Sequence, residues 1–101
     1  MTNEQNRRIA EKLAGYEVQV SPAGKWYVVT GDETKPMPDF ETDSAETLST
    51  VEALCKSRGY SMDAYRVDSG YRALINGVFG AGPTITSAVA QSLLHIAEKE
   101  Q

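Results

Sequence analysis

A chain of 101 residues with 41% hydrophobic content has the length of one domain, and a domain of that size buries roughly two-thirds of its unfolded surface around a single modest core. The lone cysteine, Cys55, excludes an intrachain disulfide scaffold, the polar start Met1-Thr2-Asn3-Glu4-Gln5 lacks an apolar signal region, and no apolar run is long enough to span a bilayer. The net charge of −4 is concentrated between residues 31 and 46, where Asp32, Glu33, Asp39, Glu41, Asp43 and Glu46 face Lys35 alone, a local −5 that leaves no basic face for general nucleic-acid binding. These features predict one soluble domain, residues 1–101, in a reducing cytoplasm.

Thr2 and Gln5 have the spacing of a capping box, so a first helix is expected over about residues 3 to 14, with Ile9, Ala10, Leu13 and Ala14 as its apolar stripe and Gly15 as its stop. Tyr16, Val18 and Val20 then alternate with polar residues. Together with Lys25-Trp26-Tyr27-Val28-Val29-Thr30 they predict a hairpin joined by Ser21-Pro22-Ala23-Gly24. The acidic, proline-stiffened bridge Pro36-Met37-Pro38-Asp39-Phe40-Glu41-Thr42-Asp43 follows, with Phe40 as its anchor. Asp43 and Glu46 mark a second helix start, with Ala45, Leu48, Val51, Leu54 and Cys55 as the buried stripe and an end near Arg58-Gly59. A second hairpin is expected from Tyr60–Val67 and Tyr71–Phe79 around the turn Asp68-Ser69-Gly70. Gly80-Ala81-Gly82-Pro83-Thr84 breaks the strand, and a last helix carries Ile85, Ala88, Val89, Ser92, Leu93, Ile96 and Ala97 before a frayed tail, Glu98 to Gln101. The order is α-β-β-α-β-β-α, an α+β domain with one antiparallel four-stranded sheet packed with three helices.

Asn6-Arg7-Arg8-Ile9-Ala10-Glu11-Lys12-Leu13, Pro38-Asp39-Phe40-x-Thr42-Asp43 opening a helix, the following strand pair and the Ala/Leu-rich C-terminal helix together resemble the small tailed-phage proteins grouped as the phage α-β-α sandwich domain. The resemblance spans nearly the whole chain. It implies a fold and a phage or prophage setting, hence the cytoplasm of the infected or lysogenic bacterial host, and it brings no catalytic residue. The segment from Gly15 to Lys35 is compact and lacks the aromatic-rich loop expected of longer relatives.

Asp39-x-Glu41-x-Asp43 alternates acids as the first half of a calcium loop does, but Ser44 and Thr50 stand where the loop's glycine and bidentate glutamate belong, so no metal site is expected. These three acids are read as helix cap and solvated charges, or as a docking element for a basic partner. Gly80, Gly82 and Thr84 join a strand to a helix, where backbone amides and a hydroxyl suit an anion, although a plain turn with Thr84 as cap explains the same residues. No lysine follows the last glycine, so this is not a Walker loop. Arg66 and Arg72 flank a hairpin turn and could form an anion clamp, or each could solvate an exposed face. Trp26 and Tyr27 point to opposite faces of their strand, which offers an aromatic stacking or homo-oligomer surface. His95 and Cys55 lack sequence partners for metal or nucleophilic chemistry.

The sequence therefore predicts a non-enzymatic binding protein without cofactor, working as a homo-oligomer, with Gly80, Gly82, Thr84, Arg66, Arg72 and Trp26 toward a small anionic ligand. In the phage setting, one form of this is a sponge that sequesters a host anti-phage nucleotide signal. The alternatives are an interaction adaptor that docks through Asp39, Glu41 and Asp43 in the acidic 32–46 segment, and a phage accessory protein of unknown activity.

Overall fold

Thr2 caps the first helix, α1 (Asn3–Lys12), as the spacing predicts: its hydroxyl accepts the Gln5 amide at 3.1 Å and the Gln5 side chain accepts the Thr2 amide at 2.9 Å. This computed structural model describes residues 1–100; Gln101, the last residue of the expected tail, lies outside them. Three strands follow, β1 (Glu17–Val20), β2 (Trp26–Thr30) and β3 (Glu33–Pro36), then α2 (Ser44–Arg58), a second set of strands β4 (Met62–Val67), β5 (Gly70–Ile75) and β6 (Val78–Gly82), and finally α3 (Ile85–Lys99). The strands form two separate three-stranded antiparallel sheets, ordered β1-β2-β3 and β4-β5-β6. The single four-stranded sheet and the α-β-β-α-β-β-α order are thereby corrected to α-β-β-β-α-β-β-β-α.

Both additional strands have local physical causes. Gly31, at φ 61°, turns the chain in two residues so that Thr30 pairs with Glu33 and Tyr27 with Pro36. The polar, proline-ending β3 carries no strand-like hydrophobic pattern, and an edge position tolerates its proline. In the second sheet, Asn76 and Gly77 both adopt left-handed φ (51° and 74°), which splits the expected strand Tyr71–Phe79 into β5 and β6 with Ile75 opposite Val78. Two consecutive left-handed residues are the requirement of the favoured two-residue hairpin turn.

α3 is the centre of the core. Nine of its residues are buried, from Ser87 to Ala97, because it packs against β5 and β6 and also against α1 and α2. It stays helical to Lys99, so the expected fraying at Glu98 does not occur; Glu98 pairs with Arg8 at 3.5 Å and Glu100 with Arg58. The buried face of α2 is Thr47, Thr50, Val51 and Leu54, while Leu48 is 48% exposed and Ala45 is also outside, a rotation from the expected stripe. That rotation follows from Phe40. Its fully buried side chain anchors the bridge, its amide donates to Asn6 Oδ1 at 3.0 Å, and its carbonyl accepts the Thr47 hydroxyl at 2.5 Å. A buried backbone needs both partners, so Thr47 must face inward.

The first sheet joins the rest through α1 and a polar clasp. The Tyr16 hydroxyl donates to Glu46 Oε2 at 2.7 Å, the Lys35 ammonium donates to the same carboxylate, and Lys35 Nζ stands 5.3 Å from the Tyr16 ring centroid. Burial alone would raise the Glu46 pKa, but the bonds from Lys35 and Tyr16 outweigh it and hold the carboxyl below its ordinary 4.5.

Candidate functional site

Strand alternation and register decide what the second sheet shows to solvent. Ala64, Ala73 and Gly80 lie across from one another on the face beneath α3, so Tyr65, Arg72 and Ala81 share the opposite face with Asp63, Leu74 and Phe79. Among the described residues no helix covers that outer face. Tyr65 and Phe79 are 42% and 45% exposed on it. The Arg72 guanidinium sits 5.4 Å from the Phe79 ring centroid and makes no ion pair among the described residues. Beside this pair lies an open depression of about 510 Å³, walled by Ser69, Tyr71, Arg72, Phe79, Gly82 and Pro83. An uncompensated guanidinium over an exposed ring can take an anionic group with its charged donors and a planar group by stacking.

The structure separates the other residues singled out in the sequence. Arg66 pairs with Tyr71 and Arg72 with Tyr65, so the two arginines point to opposite faces of the sheet and the two-pronged clamp does not form. The glycine segment is a strand rather than a phosphate-cradling loop. A Cβ on Gly80 would come within 2.3 Å of the Ala88 carbonyl oxygen and the Ser92 amide nitrogen, and one on Gly82 within 2.2 Å of Ser87 Oγ, so both glycines let α3 lie directly on β6. Thr84 caps α3: its hydroxyl accepts the Ser87 amide and the Ser87 hydroxyl accepts the Thr84 amide, each at 3.0 Å. It opens onto a neighbouring depression of about 490 Å³ on the other side of Pro83, shared with Glu41, Thr42 and Ser44. Trp26 lines a third, of about 350 Å³, in the first sheet with Tyr27, Pro36 and Met37. Of the six expected ligand residues, only Arg72 and Gly82 meet in one depression.

The three bridge acids have intramolecular partners. Asp39 Oδ1 accepts the Glu41 amide at 3.1 Å, Asp43 Oδ1 accepts the Glu46 amide at 3.1 Å as the α2 cap, and Glu41 bonds the Met1 amine and the Gln91 side chain. The Met1 amine hydrogen bond comes first among the influences that hold the Glu41 carboxyl below 4.5. His95 donates from Nδ1 to the Phe79 carbonyl at 2.7 Å, which ties the site strand to α3. Among the described residues no cluster of three or more His, Cys, Asp or Glu is assembled, and no helix is long and apolar enough to cross a membrane.

Phe79 is the functional candidate that sequence reasoning missed, and Asn76-Gly77 is the signal that finds it. A turn there puts Phe79 two positions along β6 from the residue opposite Arg72, on the same face. The Tyr16–Glu46–Lys35 clasp had no signal, since its members come from three segments. No family model, curated protein or solved structure matches the chain.

Proposed function

We propose that the chain is a non-enzymatic binding module that takes a small planar anion, of the nucleotide class, on the outer face of β4-β5-β6. Arg72 meets the anionic group and Phe79 the ring. The observation that carries this reading is the Arg72 guanidinium, without an acid partner among the described residues, poised over an exposed aromatic ring at the rim of an open depression. An exposed cation–π contact contributes only about 0.5–1 kcal/mol, so a phosphate offering charge-assisted, bidentate bonds competes for the guanidinium and frees the ring for stacking. The phage setting implied by the sequence resemblance makes host nucleotide signals the first ligands to try.

Calorimetry with a panel of cyclic mono- and dinucleotides, beside inorganic phosphate and uncharged nucleosides, tests the reading. Binding of at least one nucleotide is expected, weakened about tenfold or more by Arg72→Ala, as loss of a charge-assisted bond of 1.5–3 kcal/mol implies, and also weakened by Phe79→Ala. Recovery of the ligand unchanged by mass spectrometry separates capture from turnover. Silence across the panel, or binding indifferent to both substitutions, refutes it.

A further inference from the structure

The register identifies a second surface, independent of the ligand reading: the free edge of β4. Asn76 donates its amide to the Ser61 carbonyl at 3.0 Å, directly across the β4–β5 ladder. Bonded and non-bonded pairs alternate along an antiparallel ladder, so 63/74, 65/72 and 67/70 are bonded pairs. Met62, Ala64 and Arg66 consequently turn their N–H and C=O groups away from β5, and among the described residues none of these groups has a partner in another element.

The other sheet edges are blunted. β3 is four residues long and contains Lys35 and Pro36, β1 is four residues long and packs against α1, and β6 lies under α3 with its Phe79 carbonyl taken by His95. β4 has six residues and no proline, glycine or lysine. Its outer face is open, with Tyr65 42% exposed and Asp63 also exposed, and on its inner face Met62 (38%) and Arg66 are exposed on either side of Ala64, which packs partly against the core.

We propose that β4 pairs antiparallel with β4 of a second copy of this chain, across a two-fold axis at Ala64, to make one six-stranded sheet. A two-fold axis perpendicular to a sheet keeps each face on its own side, so only residues of like parity can oppose one another. Centring on Asp63 sets two aspartates face to face, and centring on Arg66 sets two arginines face to face, both unfavourable. Centring on Tyr65 leaves Met62 opposite Asp68, in the turn. Centring on Ala64 sets Ala64 against Ala64, Met62 against Arg66 and Asp63 against Tyr65. It uses all three outward-facing residues, for about six new ladder bonds, and opposes no like charges. The two α3 helices, each over β5 and β6, would then stand about four strand spacings apart, roughly 19 Å, well beyond the ~10 Å at which helices pack. Each copy keeps its Arg72–Phe79 pair one or two strands from the axis, both on the same face of the joined sheet.

Sedimentation velocity on the whole chain is expected to give twice the monomer mass. Ala64→Pro removes the amide at the axis, which faces away from β5, so it should yield a folded monomer with unchanged circular dichroism. In a Cys55→Ser background, Ala64→Cys should form a disulfide-linked dimer on mild oxidation, because bonded antiparallel partners lie about 5.5 Å apart at Cα, within disulfide range. Asp63→Cys and Tyr65→Cys should not, since each faces the other position rather than itself. A monomeric native chain overturns the proposal, as does a dimer that survives Ala64→Pro. If Ala64→Pro fails to fold, the cross-link decides: linkage through position 65 and not 64 refutes this register, and linkage through neither refutes the edge.

Discussion

Replacing Gly80 by alanine isolates the role of the glycine segment. The added Cβ would stand 2.3 Å from both the Ala88 oxygen and the Ser92 nitrogen, whereas ordinary contact begins at 3.4 Å. Both obstacles are helix backbone, so no side-chain rotation relieves the clash and α3 must retreat by about 1 Å from the sheet it covers. Overpacking of this kind costs about 1–3 kcal/mol, and the buried circumference of α3 puts this site at about 3 kcal/mol. For a domain of this size that is a fall in Tm of about 12–24 °C. The opposing term is small, because alanine is favoured over glycine inside a strand by roughly 0.5–1 kcal/mol.

The sign of the effect is therefore diagnostic. Were Gly80 a flexible loop residue awaiting a ligand, Gly80→Ala would leave stability nearly unchanged or raise it slightly. Urea denaturation followed by circular dichroism measures the difference, with Gly24→Ala as the control: nothing lies within 4 Å of a Cβ there, and only the left-handed φ of +82° is strained, for about 1–2 kcal/mol. A Gly80→Ala midpoint at or above that of the native chain would refute the close-packing argument.

The Tyr16–Glu46–Lys35 clasp predicts a pH dependence with a definite sign. Glu46 titrates below 4.5 in the fold, so its contribution is present above that pH and fades as pH falls through the lowered value; Lys35 is raised above 10.5, chiefly by its bond to Glu46, and Tyr16 above 10.0, chiefly by burial, so theirs are present below pH 10 and fade above it. Glu46→Gln should cost about 1 kcal/mol at pH 7, and the gap to the native chain should close below pH 4.5; a gap unaltered by acid would contradict the clasp. At the buried bridge, Asn6→Ala and Thr47→Val should each cost about 1–3 kcal/mol by leaving the Phe40 amide or carbonyl unsatisfied, and losses under 0.5 kcal/mol by urea titration would show that water replaces either partner.

What the sequence made legible was what nearest neighbours determine. The Thr2, Asp43 and Thr84 caps, the stop at Gly59 and the hairpin through Ser21–Gly24 depend on groups within a few residues of one another, and the structure forms each of them. The rotation of α2 was not legible, because Thr47 faces inward to serve a carbonyl seven residues away in an irregular segment, while its apolar neighbour Leu48 is left outside. β3 had no hydrophobic pattern to read, since both faces of a short edge strand touch mostly solvent. The β5–β6 turn was legible in Asn76-Gly77, and passing over that dipeptide hid the parity that sets Phe79 beside Arg72.

Gly80 and Gly82 also explain why β4 is the least covered strand of the second sheet. A helix is about 10–12 Å wide with its side chains, and strands lie about 4.8 Å apart, so one helix seated closely on a sheet covers two strands and not three. The glycines draw α3 down onto β6 and its neighbour β5, and β4 is reached only at Ala64, with its outer face and one edge in solvent. An edge strand of six residues whose alternate backbone groups face away from its neighbour is a ready template for another strand, and a second β4 would offer the same row of groups in a matching register.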